Sequence, residues 1–223
     1  MIFKFNKLLF KGEMKMGLVD KFKKKNMGKN CVSNNIFLEF TRVFKPSDEL
    51  VKPTEEELKQ FKDILPSELL DFWKEYGFGN YGNGIIKVIN PLDYMGSLYE
   101  WLGKEDFSKL PILVTGFGDI FYYRKLSEED EDICILDIHY RNISVCSYSL
   151  KDFFQSYMVD EGNYSKILRK ELFEQAYAVK GNLKSNDIYF FVPSLILGGK
   201  ESVDSIDKGN ANVHQSLLFQ LGK

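Results

Sequence analysis

Helices grouped on either side of closely spaced strands make this chain an α+β protein, with a central, mainly antiparallel meander sheet flanked by helices. Three observations carry that expectation. The runs Ile112 to Thr115, Ile120 to Arg124, Ile133 to His139 and Ile143 to Ser147 are strand-like, and their connections are shorter than the roughly dozen residues a parallel crossover needs. Capped helix patterns lie both before and after them. Finally, 223 residues that are 44% hydrophobic and 15% aromatic can bury a sizeable core without a metal or disulfide staple.

Residues 1–34 stand apart: they are rich in Lys and Met and lack hydrophobic periodicity, so a flexible extension is expected there. A start codon lying upstream of a true start near Met27 accounts for them equally well. Their basic charge, mixed with Phe and Leu, also fits a helix lying on a membrane surface. Residues 35–223 are expected to form the folded domain, helical over 35–105, with the sheet and further helices over 106–223.

Within that domain IFLEF (Ile36 to Phe40) reads as a short strand. Thr54 and Glu57 make a capping box that opens a helix with an apolar stripe of Leu58, Phe61 and Leu65. Pro66 punctuates, and Ser67 is placed to cap a second helix whose Leu69, Phe72, Trp73 and Tyr76 share one face; Gly77 ends it. Asn90-Pro91 breaks the chain before a helix carrying Tyr94, Leu98, Trp101 and Leu102. After the strands, Ser149 caps Leu150 to Tyr157 and Asn163 caps Tyr164 to Tyr177, the latter burying Tyr164, Ile167, Leu168, Leu172 and Phe173.

Composition excludes several functions. A net charge of −2 lacks the basic surplus that neutralises phosphates, so nucleic-acid binding is disfavoured. Three cysteines (Cys31, Cys134, Cys146) without CxxC spacing and two histidines (His139, His214) make neither a disulfide scaffold nor a zinc site. With no apolar run long enough for a signal peptide or membrane span, a cytoplasmic protein without membrane attachment is expected. The glycine-rich segment Gly77 to Gly84 leaves a helix C-terminus and enters a strand, the reverse of a phosphate loop, so it reads as a turn with Phe78 and Tyr81 packed over the core.

Two clusters invite a functional reading. A two-residue turn at Arg141-Asn142 sets Asp137, His139, Ser144 and Cys146 on one sheet face, an ingredient list for a nucleophile and base, although mid-strand positions lack the pKa tuning a nucleophile needs. That face reads as a half-exposed polar surface. The run Glu128, Glu129, Asp130, Glu131 and Asp132 repels itself and is expected on an exposed hairpin loop, where it can steer a basic partner; the spacing of a calcium loop is absent.

The segments FLEFTRVFKPS and LPSELLDFWKEYGFGNYGNGIIKVINPLDY resemble the bacterial GAD-like domain family. The later pieces PILVTGFGDIFYYR, ILDIHYRN and FFVPSLILGGKESVDSIDKGNANVHQSLLFQLGK are similar to the C-terminal domain of type VI secretion immunity proteins of the DNase-antitoxin kind. The resemblance implies a non-catalytic binding protein that holds a cognate toxin, such as a nuclease effector, inactive; no cofactor or metal is implied. In VPSLILGGKES, Pro193 and Gly198-Gly199 set a turn and carry no side-chain chemistry. The matching positions build the fold, so contacts to a toxin fall to the acidic run and to aromatics such as Phe78, Tyr81, Tyr122 and Tyr123. The other classes open at this point are an enzyme or small-ligand regulator using the Gly77 to Gly84 or His139 face, and RNA association, against which the acidic balance speaks.

Overall fold

Hydrogen-bonding side chains set the first turns of the described residues. The computed structural model describes residues 35–222, so the expectations for residues 1–34, Cys31 included, lie outside the described residues. Asn35 accepts a hydrogen bond from the Phe37 amide (2.9 Å), and the chain continues as helix α1 (Leu38–Val43), not as the strand expected from IFLEF. Five residues fit either period. What decides is that Phe37, Phe40 and Phe44 share one helical face, where Phe37 stacks on Phe72 at 4.3 Å and Phe40 is fully buried.

Helix α2 (Glu55–Phe61) has both halves of its capping box: Thr54 Oγ1 accepts from the Glu57 amide (3.2 Å) and Glu57 Oε2 accepts from the Thr54 amide (2.7 Å). Helix α3 (Ser67–Glu75) starts one residue earlier than expected, with Pro66 at the cap position and the Ser67 hydroxyl turned to Glu68. Leu69, Phe72 and Trp73 are buried on its inner face, and Tyr76 is half-buried. Gly77 then takes φ +102°, with the carbonyl oxygen of Val51 2.8 Å from where a Cβ would stand, so only glycine fits.

The sheet is a pure meander. Strands β1 (Gly79–Tyr81), β2 (Ile86–Val88), β3 (Lys109–Thr115), β4 (Ile120–Lys125), β5 (Glu131–Asp137) and β6 (Asn142–Ser147) lie side by side in chain order, each antiparallel to the next. Helix α4 (Pro91–Leu102) bridges β2 and β3, capped by Asn90 and started by Pro91. Alternation along the strands serves two cores. Phe121, Ile133 and Ile135 face the aromatic cluster of α1 and α3, whereas Ile120, Tyr122, Cys134 and Leu136 face α4 and the final helix α8 (Ala211–Leu221).

After β6, Ser149 caps a helical stretch as expected, accepting from the Asp152 amide (3.0 Å); α5 (Leu150–Asp152) widens into one π turn (Phe153–Tyr157) that buries Phe153 and Phe154. The single helix expected over Tyr164 to Tyr177 is two. Helix α6 (Glu161–Ile167) is capped by Asp160, not Asn163, and is separated from α7 (Lys170–Lys180) by Arg169 in the left-handed conformation (φ 49°). Strands β7 (Asp187–Phe191) and β8 (Ile206–Asn210) form a second small sheet, and between them Gly199 comes so close to Pro193 that a Cβ would lie 1.8 Å from its carbonyl oxygen.

One buried cation couples this frame to pH. Lys87 of β2 is fully buried, its Nζ donating to Asn80 Oδ1 and to the Lys184 carbonyl (3.2 Å), while Asn80 Nδ2 donates to the Leu183 carbonyl (2.9 Å). Burial pushes its pKa down to about 7, with Asp187 opposing. The folded state therefore binds fewer protons than the unfolded state between about pH 7 and the ordinary lysine value of about 10.4, so this group makes stability rise with pH over that window and contributes no slope below it. We expect Lys87→Met to flatten the rise between pH 7 and 8.5 in urea titrations; parallel wild-type and variant curves would remove Lys87 as its source.

Candidate partner-binding surface

Strand alternation divides the acidic run. Ser127 turns the β4–β5 connection, its Oγ accepting from the amides of Glu129 (3.1 Å) and Asp130 (2.9 Å), and Glu128, Glu129 and Asp130 stand in solvent. Glu131 and Asp132 already belong to β5, opposite Lys125 and Arg124, and this corrects the expectation of five exposed carboxylates. Glu131 accepts from the Tyr123 hydroxyl (2.8 Å) and from the Leu150 amide (2.6 Å). Asp132, only 2% exposed, makes a two-pronged pair with Arg124 at 2.7 and 2.6 Å.

The expected aromatic anchors are not exposed. Phe78, Tyr81, Tyr122 and Tyr123 are all buried, because helices cover both faces of the sheet and leave no strand aromatic at the surface there. Tyr81 spends its hydroxyl on the Gly77 carbonyl (2.9 Å), at the end of α3.

The two-residue turn expected between β5 and β6 is a four-residue one. Asp137 pairs with Asn142, and its Oδ1 accepts from the amides of His139 and Tyr140, both at 2.9 Å, so the chain turns over residues 138–141 with Arg141 at positive φ. The register moves with it. Ser144 faces Ile135, and Cys146 is not opposite Asp137. His139 turns into the core, its Nε2 donating to the Phe117 carbonyl (2.8 Å) and its ring 5.0 Å from Phe191. Burial pushes the Cys146 thiol up to about 11, the wrong direction for a nucleophile. Asp137, His139, Ser144 and Cys146 do not assemble into a catalytic set.

What sequence reasoning missed is the cluster around Arg169. Its guanidinium reaches Asp119 (2.6 Å) beside β4, Asp137 (3.1 Å) at the end of β5 and Glu201 (2.8 Å) before β8, and it lies against the Phe117 ring. Asp119 is fully buried, and its second oxygen accepts from the Ile138 amide (3.0 Å). Burial and the charge of Asp119 push the Asp137 carboxyl upward, and Arg169 opposes them. The left-handed Arg169 thus locks the α6–α7 break to the sheet. Its one local trace in the sequence is an acid, Asp119, inside the apolar run from Leu110 to Tyr123.

Beside this cluster a groove of about 570 Å³ runs between β6 and α6, lined by Asn142, Ser144, Tyr157, Asn163, Lys166 and Glu201. A shallower hollow of about 700 Å³ continues past Cys146 and Tyr148 to Asp152 and Asp160. Among the described residues no group of His, Cys, Asp and Glu is placed to hold a metal ion. No described helix is long and apolar enough to cross a membrane.

Comparison with known proteins assigns both halves of this frame. Residues 35–136, from α1 into β5, match the GAD-like domain, and residues 147–222, from the end of β6 through α8, match the family described as T6SS immunity protein Tdi1, C-terminal. Both matches fall in the families that the sequence resembles. No curated protein matches the chain. Among solved structures, the chain is similar to the crystal structure of Atu4351 from Agrobacterium tumefaciens, with a TM-score of 0.65 at 16% identity over 82% of this chain and 88% of that one. At that identity the likeness concerns the fold. Residues 137–146, which include most of β6, fall between the two family matches.

Proposed function

We propose that this chain is a type VI secretion immunity protein that binds a cognate toxin and holds it inactive without catalysis. The Tdi1 C-terminal match over residues 147–222 carries the reading. It is supported by the absence of an assembled nucleophile and base among Asp137, His139, Ser144 and Cys146. The toxin handle we propose is the solvent-facing part of the acidic turn, Glu128, Glu129 and Asp130, which suits a partner with a basic cleft such as a nuclease. Glu131 and Asp132 are removed from that handle by their bonds inside the sheet.

The test is co-expression with neighbouring toxin genes to find the one neutralised, followed by association kinetics across ionic strength. Changing Glu128, Glu129 and Asp130 to Ser or Asn is expected to slow association by up to about tenfold at low salt and to flatten the salt dependence, leaving the melting temperature unchanged. Asp132→Asn is expected to do the opposite: it strips Arg124 of its partner and costs about 1–3 kcal/mol of stability with little effect on salt dependence. Identical rates for wild type and the turn variant would rule the turn out as the handle. Failure to neutralise any neighbouring toxin would overturn the immunity reading itself.

A further inference from the structure

The two edges of the meander are treated differently. At the β1 edge, backbone bridges from Pro46 to Tyr81 and from Val51 to Phe78 cover the strand with the preceding chain. The β6 edge pairs only with β5, and among the described residues no other strand pairs with its outer side. A strand in that position presents unpaired amides and carbonyls, which proteins ordinarily protect with lysine, proline or a covering loop. The sequence of β6, NISVCS, contains neither residue.

The side chains of β6 define what would pair with it. Ile143 and Val145 point to the face that α4 and α8 cover over β4 and β5, but they lie beyond that cover and are 45% and 43% exposed. Asn142 and Ser144 point the other way, into the groove against α6. An added strand would thus lay alternate residues on an apolar flange and in a polar groove. Charge fixes its ends. Ser147 pairs with Ile133, two residues into β5 from the acidic turn, and Asp152 and Asp160 line the hollow beside Ser147, so the carboxylates toward this end outnumber Lys125, already bonded to Glu128, and Lys151.

We propose that β6 is the docking edge for an extended segment of the toxin, which joins the sheet as a seventh strand with alternating apolar and polar residues and basic residues at the end beside Asp152. This rests on the immunity reading above. A second copy of this chain fits less well, since the six residues of β6 carry no basic group to meet the acidic end.

The experiment uses the full chain and the toxin encoded beside its gene, inactivated at its own catalytic residues. In the complex, hydrogen exchange is expected to show new protection at the outward amides of residues 142–147, and Ile143→Lys with Val145→Lys is expected to raise Kd at least tenfold while the melting temperature of the free protein is kept. Unchanged exchange at these amides in a tight wild-type complex overturns the strand-addition proposal and leaves the immunity reading standing. Absence of any wild-type complex overturns both. A dimer of the free protein that sedimentation detects and the double variant abolishes would assign the edge to a second copy, against the proposal.

Discussion

Replacing Arg169 with methionine is expected to destabilise the fold by about 3–5 kcal/mol, read as a lower urea midpoint at unchanged slope. Methionine fills much of the same space but leaves the buried Asp119 and the part-buried Asp137 without their shared counter-charge. The pH dependence identifies the cause. Asp137 already has a raised folded pKa, and an acid of that kind binds protons more tightly when folded, so its contribution to stability falls as pH rises through the window between its unfolded and folded values. Without Arg169 that window extends further upward. The gap between wild type and variant is therefore expected to narrow on acidification from pH 7 to 5, and a gap that ignores pH would assign the loss to packing alone.

Phe154→Ala is expected to cost about 3–5 kcal/mol and to do so for the whole described fold in a single transition. Phe154 lies in the π turn within the Tdi1-matched half, yet its ring is 4.6 Å from Phe37, 5.0 Å from Phe40 and 6.3 Å from Phe72, all within the GAD-like half. The two family-matched stretches therefore share one aromatic core. Differential scanning calorimetry of the variant should show one peak at lower temperature. Two separate peaks, only one of them shifted, would mean that the halves fold independently.

Much of this frame is legible in local chemistry. The capping box at Thr54 and Glu57, the Asn90-Pro91 start and the Ser149 cap each rest on bonds within a few residues, and each forms as its residues dictate. The strands are legible because β-branched and aromatic residues alternate between short turns. What was not legible depends on distance. The break at Arg169 is imposed by carboxylates 32 to 50 residues away along the chain, which no helical period records. The division of the acidic run rests on where β5 begins, and the burial of Tyr122 and Tyr123 rests on helices supplied by both ends of the fold. The β5–β6 register failed on one Asp137 side chain, which bonded the turn amides and lengthened the loop by two residues.

Arg169 also constrains how this protein can change. Two demands fall on one position: a left-handed backbone, which most side chains resist, and a planar cation that reaches three acids at once. Glycine satisfies the first demand and abandons the second, asparagine does nearly the same, and lysine brings a charge without the fork. None of these replacements meets both, so exchange at this site damages the protein unless one of the acids is lost first. Variation is open instead along the β6 edge and at the exposed Glu128, Glu129 and Asp130, where residues can be exchanged without disturbing the core, so a change in the partner proposed above would leave the scaffold intact.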